Sequence, residues 1–312
     1  MAVTRMAPTA ELTLGPVLFH WPAETLRDFY FRIADEAPVD GVCLGEVVCH
    51  KRAPYFEPYL DEVAERLNAA GKRVVFSTLA EVMLPAERRL VEAVCAIDDQ
   101  PVEVNDVSAL WHLTGRPHHI GPYMNIYNED ALAVLAGKGA VHVCLPAELP
   151  AAALKALGAT AAALGVGLEV QIFGRMPLAL SARCYHARLH GRTKDSCQYA
   201  CEADADGLAL ETLDGTPFLA INGIQTLSHG CLNLAGELAG LQDMGITGFR
   251  LSPHSCDMVA VAQIFRSVAD GALDADEAEA RLAALGPPGP FANGFFHGRP
   301  GCACIASEGA PA

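Results

Sequence analysis

Short apolar runs rich in β-branched residues recur along this chain, and between most of them lie segments whose apolar residues repeat at helical spacing. The runs fall at residues 12–19, 39–44, 73–78, 102–105, 120–126, 140–144, 168–172 and 246–251. Phe56, Leu60, Val63 and Leu67, spaced four, three and four apart, set one apolar stripe of an intervening helix toward a sheet. Gly71 closes that helix and Lys72-Arg73 leads into the next strand. Strand and helix alternating through one chain imply parallel strands joined by crossover helices, and eight repeats at this length favour closure. The sequence therefore predicts an α/β fold: a (β/α)8-like, TIM-type barrel with a long cysteine-bearing insertion after the seventh strand. An open doubly wound sheet is the rival, weakened because no Gly-rich dinucleotide or phosphate fingerprint follows any strand.

The expected organisation is a single domain over residues 1–312, with the barrel over 12–285, an insertion at 174–233 and a Pro/Gly-rich tail at 286–312. Within the insertion, LALETLDGTPFLAI reads as a hairpin turning at Asp214-Gly215. Loop excursions of this length in a compact domain usually serve function. The tail is expected to wrap the outside of the barrel or to be partly mobile.

Hydrophobic residues make up 51% of the chain, enough for a sizeable core in an ordered globular protein. The formal net charge of -15 repels phosphate backbones, which argues against nucleic acid as a partner. The first sixteen residues lack the uninterrupted apolar stretch of a secretory signal, and no run is long enough to span a membrane, so a cytoplasmic location is expected. Eleven cysteines in such a compartment do not form a disulfide framework; some are core filler and others are ligands.

Cys184, Cys197 and Cys201 form C-x12-C-x3-C in the insertion, among Lys, Asp, Gln, Tyr and Glu where filler has no core to fill. Three soft donors on one irregular loop suit a metal-thiolate centre one ligand short of an iron-sulfur cluster. Cys43, near the end of the second strand, can supply the fourth ligand, because loops after barrel strands gather on one face. Cys49, in GEVVCHKR, is its rival. Zinc would also take four thiolates, but structural zinc sites usually pair their ligands in close knuckles, and Cys197-Cys201 resembles only half of one. Cys95 and Cys144 read as buried filler, and Cys302 and Cys304 as a pair on a poor scaffold.

Several segments in order resemble the collagenase-like peptidase family, in its ubiquinone-biosynthesis branch. They are VCLGEVVCHKR at 42–52, FSTLAEV at 76–82, YNED at 127–130, GRMPLALSARC at 174–184, the C-x12-C-x3-C run, and NGFFHGRPG at 293–301. The resemblance implies a [4Fe-4S] cluster on Cys43, Cys184, Cys197 and Cys201. It further implies a heterodimer with a UbiU-like relative and oxygen-independent hydroxylation of the ubiquinone ring precursor, with oxygen drawn from a donor such as prephenate. A lipid-binding accessory protein would present the prenylated substrate.

Beside the ligands, Arg175, Arg183, His186, Arg188 and His190 offer charge to a thiolate cluster or to a carboxylate donor. Glu46 after the second strand is the expected acid/base residue, with Arg175, Arg183, Asn105 and Asn125 as substrate or donor contacts. Asp106 and Asn128 are expected to cap helices. Competing readings are an iron-sulfur scaffold or electron-transfer subunit without its own active site, an RNA-modifying relative, and a peptidase. The chain has neither a G-x-S-x-G elbow nor an H-E-x-x-H pair for hydrolysis.

Overall fold

The computed structural model describes residues 10–306. Eight parallel strands form its centre: β1 (Glu11–Leu14), β2 (Gly41–Leu44), β3 (Arg73–Ser77), β4 (Val102–Val104), β5 (His118–Ile120), β6 (Ala140–Leu145), β7 (Gly167–Leu180) and β11 (Gly248–Leu251). They pair in that order, and β11 pairs with both β1 and β7, so the sheet closes into a barrel of TIM type. The open-sheet rival is excluded by that closure.

Most crossovers are helical: α1 (Ala23–Glu36), α2 (Ala53–Ala69), α3 (Pro85–Cys95), α4 (Val107–Leu113), α5 (Glu129–Ala136) and α6 (Ala151–Leu164). Side chains on β2 follow the two-residue period of a strand. Val42 and Leu44 join the hydrophobic core between sheet and helices, while Cys43 lies with the charged groups of the barrel lumen. Asp106 caps α4 by accepting from the Ser108 N–H at 2.8 Å, and Asn128 caps α5 through the Ala131 N–H at 2.9 Å, the roles expected of both.

Two expected boundaries move. The fifth run was placed at residues 120–126, whereas β5 ends at Ile120, because Gly121-Pro122 opens a single 3-10 turn and Asn125 is left-handed at φ 55°. The seventh strand runs on to Leu180. Its first half pairs with β11 and its second half pairs antiparallel with β10 (Gln225–Asn233), so the excursion grows out of the barrel wall as added sheet. Gly174, at φ +106°, marks the departure: a Cβ there would come within 2.7 Å of the Ser252 Cβ and 2.8 Å of its carbonyl oxygen.

The excursion carries α7 (Tyr185–Leu189), β8 (Leu208–Glu211) and β9 (Pro217–Asn222) before β10. The expected hairpin is β8–β9, turning at Gly215, and a second turn at Gly223 joins β9 to β10. The chain then passes through α8 (Leu238–Asp243) to β11 and the outer helices α9 (Met258–Ala269) and α10 (Ala275–Ala284). The tail is tied down where it is described: β12 (Phe291–Ala292) pairs with β10, and Asn293 exchanges hydrogen bonds with Ile305. Residues 1–9 and 307–312 lie outside the described residues, and with them part of the expected tail and of the first sixteen residues. No helix among the described residues is long and apolar enough to cross a membrane.

A four-cysteine pocket beside the barrel mouth

The site begins where β2 ends. Gly45, at φ +113°, turns the chain so closely over β3 that a Cβ would sit 2.8 Å from the Ser77 carbonyl oxygen. The Glu46 carboxylate then fixes the loop, its Oε1 accepting the N–H groups of Val48 at 2.7 Å and Cys49 at 2.9 Å. That loop delivers Cys49 to a small pocket which Cys184, Cys197 and Cys201 also line. Cys184 precedes α7, Cys197 stands in an irregular stretch, and Cys201 sits in a 3-10 turn that follows left-handed Gln198 and Tyr199. Four cysteines from three stretches of chain thus line one pocket.

Cys43 is not among them. The expectation that it joins the three late cysteines is corrected: its thiol lies inside the barrel, 1% exposed, near Arg250, Glu103, Glu169 and Cys144. The physical reason is position along the strand. A residue one place before the end of β2 projects into the lumen or toward the helices, and the chain reaches the mouth only beyond Gly45. The residue that reaches the pocket is Cys49, the rival.

Cations surround the pocket. Lys51 Nζ lies 3.4 Å from Cys197 Sγ and donates to the Lys194 carbonyl oxygen at 2.9 Å. The buried Arg52 guanidinium hydrogen-bonds Cys201, and donates to the Leu18 carbonyl oxygen at 2.8 Å and to Asn222 Oδ1 at 3.0 Å. Cys184 Sγ accepts from the Ala187 N–H at 3.4 Å. Burial pushes the Cys49 thiol up to about 11 against the pull of Arg52, and raises Cys201 against the same guanidinium. A bound cation that replaces those protons is what such a donor set accommodates.

The remaining expected site residues separate by environment. Burial raises the Glu46 carboxyl, opposed by Arg52 and by the two N–H groups that it binds. Arg175 is 5% exposed and donates to the carbonyl oxygens of Asp206, Ser228, His229 and Pro288, so it clamps the tail and excursion together and its donors are not free for a substrate. The expectation of a substrate or donor contact at Arg175 is corrected as well, because the antiparallel pairing of β7 with β10 carries its guanidinium onto backbone carbonyls. Arg183 is exposed, without an ion-pair partner among the described residues. Asn105 is buried, donating to the Thr78 carbonyl oxygen at 3.2 Å and to Glu103 Oε1 at 3.3 Å, with its own oxygen unpartnered. Exposed Asn125 lines a separate cavity of about 340 Å3 formed by the segments that follow β5 and β6 and by β7.

A second group stands beside Cys184, in which sequence reasoning gave His186 and His190 only a charge role and passed over Asp204. His186 Nε2 lies 2.9 Å from Asp204 Oδ2, and the His190 ring stacks on His186 at 5.6 Å. Burial lowers His186 against the pull of Asp204. The four-residue spacing of the two histidines on a short helix was the available signal, masked by the many basic residues around it.

The fold and pocket together define a β/α barrel whose seventh strand carries a cysteine-bearing sheet excursion over the mouth. Residues 23–305 match the family described as Peptidase family U32, and the chain belongs to that family. Among solved structures, it resembles a Clostridium thermocellum protein that binds two copies of 5-methyl-5,6,7,8-tetrahydrofolic acid, with 9% identity, 88% of this chain and 96% of that chain covered, and a TM-score of 0.45. It also resembles the spore cortex-lytic enzyme SleL of Bacillus megaterium QM B1551, at 10% identity, 80% and 71% coverage, and a TM-score of 0.36.

Proposed function

We propose that this chain is a UbiV-like [4Fe-4S] protein that works with a UbiU-like partner in oxygen-independent hydroxylation of the ubiquinone ring precursor. The observation that carries the reading is the meeting of Cys49, Cys184, Cys197 and Cys201 around one pocket ringed by Lys51, Arg52 and a helix-start N–H. The donor set fits the cofactor: four soft ligands, with positive charge and hydrogen bonds placed to offset the negative charge of a thiolate-bound cluster. Once bound, such a cluster supplies one-electron redox chemistry to the barrel mouth.

The chain's own residues do the rest. Glu46 holds the Cys49 loop in position, and Arg52 ties that loop to the excursion through Leu18 and Asn222. Exposed Arg183, one residue before Cys184, would offer a cation to a carboxylate-bearing oxygen donor. The prenylated substrate would come from a lipid-binding accessory protein, in keeping with a chain whose described helices include no membrane span.

Anaerobic purification with iron and sulfide counting tests the reading. Wild-type protein should be brown, with near-equal iron and acid-labile sulfide, and Cys49→Ala should emerge colourless. Stoichiometric zinc, or wild-type protein free of iron, would sink the proposal.

A further inference from the structure

In the outer shell, α1 packs on α2 and α3 packs on α4, and between these two pairs a cleft reaches down to Phe76 and Leu79 of the barrel wall. Phe56 and Leu60, the first half of the apolar stripe of α2, are left partly exposed along it, facing Leu90 and Val94 of α3. The cavity has a volume of about 460 Å3 and an apolar lining, in the range of ordinary small-molecule sites. A single turn of α-helix, about 10–12 Å across and 5.4 Å long, would already fill it. Its size therefore suits a slender chain better than a folded partner segment.

One end of the cleft is polar, and that end shares a wall with the cysteine pocket. Arg52 lines both cavities. His20 and Tyr55, on the cleft side, pack against Tyr199 of the cysteine pocket at ring separations of 5.5 and 4.9 Å. Glu46 lines the cleft while its Oε1 holds the Cys49 N–H. The structure thus sets a mainly hydrocarbon-lined trough next to the cysteine pocket, with Glu46 and Arg52 at the near end and Glu57, Ser77 and Arg89 elsewhere on its lining.

We infer that this cleft binds the isoprenoid chain of an aromatic substrate, with the ring at the Glu46 and Arg52 end against the wall of the cysteine pocket. The ligand class rests on the function proposed above; the apolar trough and its shared wall do not. Apolar area supplies the attraction for the tail, and the few polar groups fix which end faces the sulfurs.

The chain supplies its own reporter. Of its two tryptophans, Trp21 lines the cleft and Trp111 stands 87% exposed on α4, so Trp111→Phe leaves one probe in place. Anaerobically purified full-length W111F is titrated with 2-farnesylphenol, and in parallel with farnesol and with phenol. Saturable change in Trp21 emission with farnesylphenol and farnesol, and none with phenol, is the expected result. Leu60→Arg should raise the apparent Kd by at least about tenfold, because a charge enters an apolar trough. Leu90→Phe, which narrows the cleft without adding charge, should weaken binding too; melting temperature and cluster absorption certify the fold of both variants.

Unsaturable partitioning, or titrations indifferent to both substitutions, would overturn the assignment. So would competitive loss of the signal on adding the UbiU-like chain, which would make the cleft an interface. Iron and sulfide counts on the same samples separate the two claims. A loaded cluster without binding defeats only the cleft, whereas binding by a chain that never assembles a cluster defeats the hydroxylase reading and leaves the cleft standing.

Discussion

Two groups of cysteines occupy this fold, and their surroundings differ in kind. In the barrel lumen, Cys43 and Cys144 are each 1% exposed beside an ion triad in which Arg250 pairs with both Glu103 and Glu169. Ser77 and Asn105 donate to Glu103, and His142 lies 3.6 Å from Glu169. All of these but Asn105, which follows β4 directly, stand on barrel strands. Burial pushes both thiols well above their ordinary range, so these sulfurs are inert. At the mouth, Cys49, Cys184, Cys197 and Cys201 come from loops and turns, with lysine and arginine aimed at the sulfurs. A cysteine's chemistry here is set by whether it stands on a barrel strand, as Cys43 and Cys144 do, or in the loops and turns beyond the strands.

The largest expected effect tests whether the lumen is held by its charges. Removing Arg250 strands two buried carboxylates, and breaking a buried ion network in this way costs about 3–5 kcal/mol. Arg250→Ala should lower the urea midpoint accordingly. Arg250→Met combined with Glu103→Gln and Glu169→Gln should recover most of the loss, since no unpaired charge remains. Equal loss in both variants would mean that the triad acts through shape and not charge.

A second effect follows from water exclusion in the same lumen. Burial lowers His119 to about 3, helped by His142, Arg73 and Arg250 and opposed only by Glu169. A histidine whose folded value is depressed stays neutral in the fold while the unfolded chain takes up a proton. Its stabilising contribution is full above the unfolded value near 6.5 and is lost as the pH falls from there toward about 3. The loss approaches ~1.4 kcal/mol per pH unit for one proton. His119→Gln should flatten that part of the acid limb in chemical denaturation between pH 6 and about 4. Glu169 behaves differently: burial pushes it up, but Arg250 and His142 outweigh burial and hold it well below the carboxylate range. Its contribution is lost only in stronger acid.

The barrel was legible because hydrophobic alternation reports directly on strands and crossover helices, and all eight wall strands stand at or near the expected runs. The late cysteine trio was legible because thiols among charged residues have no core to enter. The rest was set by tertiary pairing. Nothing local in GRMPLALSARC says that β7 should continue beyond the barrel to pair with β10, and that continuation is what turns Arg175 inward onto four carbonyls. Half of the α2 stripe also misled: Val63 and Leu67 are buried as expected, while Phe56 and Leu60 face the cleft. The choice between Cys43 and Cys49 was within reach of sequence reasoning, since Gly45-Glu46 ends the strand between them.

The smallest expected change is the sharpest test of the contrast between the two groups. Cys43→Ala removes one buried sulfur from a lumen that its neighbours continue to fill, which should cost about 1 kcal/mol of stability. Because Cys43 does not line the mouth pocket, iron content and the visible spectrum of anaerobically prepared protein should be unchanged. Cys49→Ala should do the opposite, bleaching the spectrum. A Cys43 variant that loses colour while melting like wild type would place its sulfur at the cluster and erase the distinction between lumen and mouth.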